Sequence, residues 1–260
     1  PVLHVARFKR TALDTLIDGI NATGYGLTFG VHTRIDETIA QVTQRIHAGN
    51  LYVNRNVIGA VVGVQPFGGE GLSGTGPKAG GPLYLLRLLA TRPAGLPRIK
   101  GMPDAQPWTV TLPGPTGEHN TWSLLPRGTV LCVPATTEGA QAQWSVVKAS
   151  GNRALFLDTP PARAFVQGLP AAASGAALVA DAELDAAHFD AVLFEGDGDA
   201  LLALNRRIAA RDGALISVQG LSSAALLAGE QYVVERLLAE RSVSVNTAAA
   251  GGNASLMTIG

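Results

Sequence analysis

The 260-residue sequence predicts an α/β fold built as two successive blocks. Three observations predict it. Helical and strand-like apolar periods alternate in each block. A stretch rich in proline and glycine separates the blocks. The chain is 47% hydrophobic and only 15% charged, against about 25% charged in an average globular domain, which excludes a disordered, solvating chain. Twenty Lys+Arg balance twenty Asp+Glu, so bulk charge gives no footprint for nucleic acid or an anionic membrane. The single cysteine excludes an internal disulfide framework and a CxxC metal site, and suits a reducing compartment. The most apolar stretch, Ala171–Ala180, contains Ser174 and Gly175 and is about half the ~20 residues a membrane span needs.

In order along the first block, Pro1–Phe8 reads as a strand. A start at proline inside an element leads us to expect a piece of a longer polypeptide. Leu13, Leu16, Ile17 and Ile20 repeat at helical spacing, and Asn21–Gly24 stops that helix. Leu27–His32 reads as a strand. Ile35, Ile39, Val42 and Ile46 stripe a helix that ends at Gly49, and Leu51–Asn54 is the next strand. Residues 59–82 hold many glycines and no sustained period. Such long ordered loops in compact domains are usually functional. A short helix is expected at about Pro82–Leu89.

The stretch Thr91–Pro115 reads as a linker, with the boundary itself at 93–110. The second block then alternates again. Strands are expected at Thr129–Val133, Ala154–Leu157, Ala177–Val179, Ala191–Phe194 and Ala214–Val218. Helices are expected at Glu138–Ala149, Ala162–Gln167, Ala200–Ala210 and about Ala224–Ala239. A βαβ series of this kind predicts a parallel, doubly wound sheet. Arg45–Asn54 and Leu237–Asn246 also echo one another, each a helix end, a break and a strand closing on Val-Asn.

Several motifs are decoys. Gly69-Glu-Gly-Leu-Ser-Gly74 fits GxGxxG, yet no strand leads into it and no helix leaves it. Gly71–Lys78 imitates a phosphate loop, but Pro77 removes an N–H and Ala79 replaces the magnesium-binding hydroxyl. Cys132 sits in an apolar strand and reads as a small buried hydrophobe. The five histidines have no ligand spacing, so no metal site is expected. In Glu195-Gly-Asp-Gly-Asp199 the simplest role is a helix cap by Asp197 or Asp199.

The informative stretch is Tyr52–Pro82, "YVNRNVIGAVVGVQPFGGEGLSGTGPKAGGP". It resembles the C-terminal signature of the aldehyde dehydrogenase superfamily: a strand, a substrate loop, then Pro66-Phe-Gly-Gly with Ser-Gly-x-Gly following. Gly59-Ala-Val-Val-Gly63 and Pro77-Lys-Ala-Gly-Gly81 are similar to the glutamate-semialdehyde (pyrroline-5-carboxylate) dehydrogenases. Gly114–Trp122 and the tail Glu240–Gly260 resemble the end of the proline utilization A family, bacterial bifunctional enzymes of proline catabolism. The resemblance covers about 1–92 and 111–260.

The resemblance implies the following. Residues 1–92 would be the C-terminal part of an aldehyde dehydrogenase catalytic domain. Residues 111–260 would be a non-catalytic, Rossmann-like domain of aldehyde dehydrogenase type, with its tail docked. The parent enzyme would oxidise proline to glutamate in two steps, a flavin step using FAD and an NAD-dependent oxidation of L-glutamate γ-semialdehyde delivered through an internal tunnel. In the second step a cysteine thiolate attacks the aldehyde, and water activated by a glutamate releases the acid. The nucleophile, the acid and the dinucleotide fold would lie upstream of Pro1, so the segment carries no catalytic residue. Its substrate-binding set would be Gly59, Ala60 and Phe67. The first two aim main-chain N–H groups at the substrate carboxylate, and the ring walls its methylenes. The second domain would cover the tunnel. A cytoplasmic homo-oligomer without nucleic-acid contact through this segment is implied. The alternatives are a purely structural lid module, or the tail of a single-function semialdehyde dehydrogenase.

Overall fold

The computed structural model describes residues 2–89, 108–170 and 175–248. Residues 2–9 carry no helix or strand, and Val2, Leu3 and Val5 lie exposed. The strand expected at Pro1–Phe8 is therefore absent from its described part. A strand needs a neighbour for its N–H and C=O groups, and no described strand pairs there.

Helix α1 (Leu13–Asn21) buries Ile17 and stops before Gly24, which takes φ 73°. Strand β1 (Tyr25–Gly26) leads into β2 (Thr28–Val31). Helix α2 (Asp36–Arg45) opens on Asp36 and Glu37, whose charge suits the positive end of the helix dipole, and buries Val42. Strand β3 (Asn50–Val53) is buried throughout. Ile17, Val42, Ile46, Ala48 and Leu51 form one apolar cluster between these elements. The glycine-rich stretch then holds only β4 (Glu70–Gly71), antiparallel to β1, and a bridge between Phe67 and Ala79. Helix α3 (Tyr84–Leu88) follows.

Most of the expected linker, 93–107, lies outside the described residues. Its end is a strand. Strands β5 (Trp108–Leu112) and β6 (Glu118–Pro126) form an antiparallel hairpin, which sequence reasoning missed. Chain order then gives β7 (Thr129–Val133), α4 (Thr137–Ala149), β8 (Arg153–Leu157), α5 (Pro160–Gly168) and β9 (Ala176–Val179). Next come β10 (Ala191–Glu195), α6 (Gly198–Ala209), β11 (Ser217–Leu221) and α7 (Ser223–Leu227). Strand β11 starts three residues later than Ala214 because its register sets Ser217 opposite Ala191. The helix expected over Ala224–Ala239 is corrected. It breaks at Gly229, where φ is 91°, and β12 (Leu238–Asn246) begins. Leu238, Glu240, Ser242 and Ser244 are buried in alternation with less buried neighbours, a period of two rather than 3.6.

Two compact units result: 1–124 with 240–260, and 125–239. In the first, one sheet runs β2-β3-β12-β6-β5. Residues 111–124 and 240–246, expected in the second domain, and 108–110 from the expected linker thus pair into the sheet of the first block. The hydrogen-bonding edge of β3 explains it, because β12 lies parallel along it with Val243 opposite Leu51 and Val245 opposite Val53. The tail beyond residue 248, expected to dock, lies outside the described residues.

The second unit has a five-stranded sheet ordered β11-β10-β7-β8-β9, with all neighbouring strands parallel. This is the doubly wound arrangement the βαβ series predicts. Alternate residues face opposite layers: Val130, Cys132, Ala191 and Leu193 join one apolar cluster, Leu131 and Val192 the other. Both faces are thus covered, and each fully buried large apolar side chain contributes about 1.5–3 kcal/mol. Thr136 and Asp197 cap α4 and α6, accepting from the N–H of Gly139 at 2.9 Å and of Ala200 at 2.8 Å. Among the described residues no helix is long and apolar enough to cross a membrane.

Candidate functional site

The loop after β3 is built from its two ends. At the N-terminal end, Asn54 adopts φ 56° and its side chain bonds both the N–H and the C=O of Thr33 at 2.9 Å. Asn246 at the end of β12 donates to the Asn54 carbonyl at 3.1 Å. The bend itself falls at Gly59, whose φ of 80° is the left-handed region an L side chain rarely adopts. A Cβ there would meet nothing within 4 Å, so the need for glycine is conformational rather than steric.

The C-terminal end is pinned from below. Lys78 is buried, and its ammonium donates to Asn50 Oδ1 at 2.9 Å and to the Gly68 carbonyl. Asn50 also donates to the Pro66 carbonyl at 2.9 Å and accepts from the Gly68 N–H at 3.1 Å. From β12, Ser242 donates to the same Pro66 carbonyl at 2.8 Å, and Glu240 accepts from the Lys78 N–H at 2.7 Å and from Trp122 Nε1 at 3.0 Å. Burial pulls the Lys78 ammonium down to about 8, against the opposing pull of Glu240 and Glu70. Lys78 is thus a brace for the loop. The phosphate-loop imitation has no anion role here.

Gly59, Ala60 and Phe67 line one cavity of about 330 Å³, together with Val62, Gln65 and Gly80. Three neighbouring residues escaped sequence reasoning. Arg55 Nη1 donates to Glu118 Oε2 at 2.5 Å, and Arg55 Nη2 to the Gly59 carbonyl at 3.4 Å. Gln65 accepts from the Val61 N–H at 2.8 Å and donates to Glu118 Oε1. A charged Glu118 in a β-hairpin, with no local period tying it to the loop, left no signal in one sequence.

Among the described residues, neither the GxGxxG stretch nor the switch point of the second unit fits a dinucleotide. At Gly69–Gly74, a Cβ on Gly69 would collide with Ser73, and the two-residue β4 leads into no helix. In the second unit, a cavity of about 300 Å³ opens where β7, β10 and β11 end, lined by Thr136, Glu138, Glu195, Ser223 and Glu230 among others. That is the switch point of a doubly wound sheet, where ligands usually bind. The Glu195 carboxylate already occupies the start of α4, accepting from the N–H groups of Ala135 at 2.8 Å and Thr136 at 2.9 Å. Burial would raise its pKa, but hydrogen bonds from Ser223, Thr136 and Ala135 outweigh that and hold the carboxyl below its ordinary value. A pyrophosphate would meet this charge instead of free donors. Cys132 is fully buried, and burial drives its thiol far up, so it is no nucleophile. Among the described residues no group of His, Cys, Asp or Glu could hold a metal ion.

Residues 1–92 match the aldehyde dehydrogenase family model. The bifunctional protein PutA of Escherichia coli (strain K12) is 52% identical over 100% of this chain and 23% of its own length. The chain resembles the C-terminal region of PutA over its whole length. A 1-pyrroline-5-carboxylate dehydrogenase of Bacillus licheniformis is 49% identical over 31% of this chain and 16% of its own. Among solved structures, proline utilization A from Corynebacterium freiburgense superposes with a TM-score of 0.60 at 20% identity, covering 91% of this chain and 24% of that one. That likeness bears on fold alone. The chain spans about a quarter of the length of the PutA relatives it matches.

Proposed function

We propose that this chain supplies the carboxylate anchor for NAD-dependent oxidation of L-glutamate γ-semialdehyde, within a cytoplasmic PutA-type enzyme that converts proline to glutamate. One observation carries the reading. The Gly59–Ala60 bend and the Phe67 ring share a single cavity. On either side of the bend, the N–H of Ile58 is taken by Asn56 at 3.2 Å and that of Val61 by Gln65 at 2.8 Å. No described hydrogen bond takes the N–H of Gly59 or Ala60. Two adjacent main-chain donors in a turn make an anion-binding concavity, and an aromatic wall suits the aldehyde's methylenes. NAD and FAD are assigned to the rest of such an enzyme. The second unit, its switch point filled by Glu195, is assigned a structural role covering the tunnel.

Ala60→Asp in the intact enzyme is expected to raise KM for the semialdehyde at least tenfold, about 1.4 kcal/mol, because like charges meet at the anchor. An unchanged KM overturns the assignment. The isolated 260 residues are expected to form no NADH from semialdehyde and NAD. Measurable turnover would place the nucleophile within this chain.

A further inference from the structure

We infer that Glu118 is a positioning residue for the semialdehyde carboxylate, acting through Arg55 and Gln65. The inference rests on the anchor reading above. Glu118 opens β6, outside the 1–92 match to the aldehyde dehydrogenase family. Its two carboxylate oxygens serve two partners: Oε2 accepts from Arg55 Nη1 at 2.5 Å, and Oε1 accepts from Gln65 Nε2. The Arg55 and Glu118 side chains are only 17% and 13% exposed, and Gln65 is buried.

Each partner holds one of the peptide groups that flank Ala60. Arg55 Nη2 donates to the Gly59 carbonyl at 3.4 Å. A trans peptide sets its C=O and the following N–H in opposite directions, so the grip on Gly59 C=O turns the Ala60 N–H the other way, free of that network. Gln65 Oε1 accepts from the Val61 N–H at 2.8 Å, which fixes the next peptide plane. The rotation of the anchor's Ala60 N–H therefore depends on a carboxylate that can accept from both sides at once. Arg55 also balances the Glu118 charge beside a site meant for an anion.

Glu118→Gln tests this in the intact enzyme. An amide offers one acceptor oxygen and sets its own NH2 against a second donor, so one partner is released. KM for the semialdehyde is expected to rise roughly tenfold, the size of a lost charge-assisted hydrogen bond, with kcat little changed. The kcat/KM for a carboxylate-free aldehyde such as butanal is expected to stay within about twofold, and Glu118→Asp, which keeps both acceptors, to recover part of the loss. Gln65→Met, which removes the same link from the other end, is expected to behave as Glu118→Gln does and serves if the latter folds poorly. Equal loss on both aldehydes overturns the proposal in favour of a merely structural role. A rise in KM for Ala60→Asp without one for Glu118→Gln and Gln65→Met overturns the positioning role and leaves the anchor standing. No rise in any of the three removes the anchor, and the positioning role with it.

Discussion

Glu240→Leu is expected to lower the stability of the first unit by about 3–5 kcal/mol, the usual cost of removing one partner from a buried charged network. Three things are lost together. The Lys78 N–H and the Trp122 indole N–H each lose an acceptor, at 2.7 Å and 3.0 Å. The Lys78 ammonium, 2% exposed, loses a neighbouring carboxylate that favours its charged form. Leucine has the bulk to fill much of the space, so the loss is polar rather than a cavity. Urea unfolding at neutral pH measures it. The pH dependence separates the terms. Lys78 sheds its proton in the folded state at about 8, against an ordinary value of 10.5. As pH rises past 8 the charged part of the deficit fades, while the two lost N–H bonds persist. A deficit below 1 kcal/mol would mean that water replaces Glu240 without cost.

Glu195→Ala is the counterpart in the second unit, with an expected loss of about 3 kcal/mol. The carboxylate accepts from two backbone N–H groups at the head of α4 and from Thr136 Oγ1 at 2.9 Å. Alanine leaves all three without it. The folded pKa lies below the ordinary 4.5. The native contribution is therefore complete above pH 4.5 and disappears as pH falls through the lowered folded value. Wild type and variant should converge in acid and diverge above pH 5. Parallel curves across that range would show that Glu195 is not ionised in the fold.

Much of this was legible in the residues. The βαβ series of the second unit could be read because each strand is a short apolar run and each helix carries its own stop or cap, Thr136 and Asp197 among them. The motif around Gly59 and Phe67 singled out the bend and the ring, which line one cavity. The hairpin of β5 and β6 was not, because Pro113, Gly114 and Pro115 make a linker and a hairpin turn look alike. The helix before β12 is expected too long, running to Ala239, because the alanines and leucines there hide a period that only Arg241–Asn246 displays. The echo between Arg45–Asn54 and Leu237–Asn246 held the clue: the two segments end in parallel neighbours in one sheet. Glu118 was invisible, since its hydrogen-bond partners lie 53 and 63 residues away.

The place of β12 has a consequence for biosynthesis. Asn246 bonds Asn54 across 192 residues of chain, and its strand lies between β3 and β6 rather than at an edge. At about 5–20 residues per second, the ribosome needs roughly 10–40 s after making β3 before its partner exists. Through that interval β3 presents a bare hydrogen-bonding edge, the kind of surface on which nascent chains pair wrongly. The second unit, contiguous in sequence, has no such wait and can condense on its own while the gap stays open.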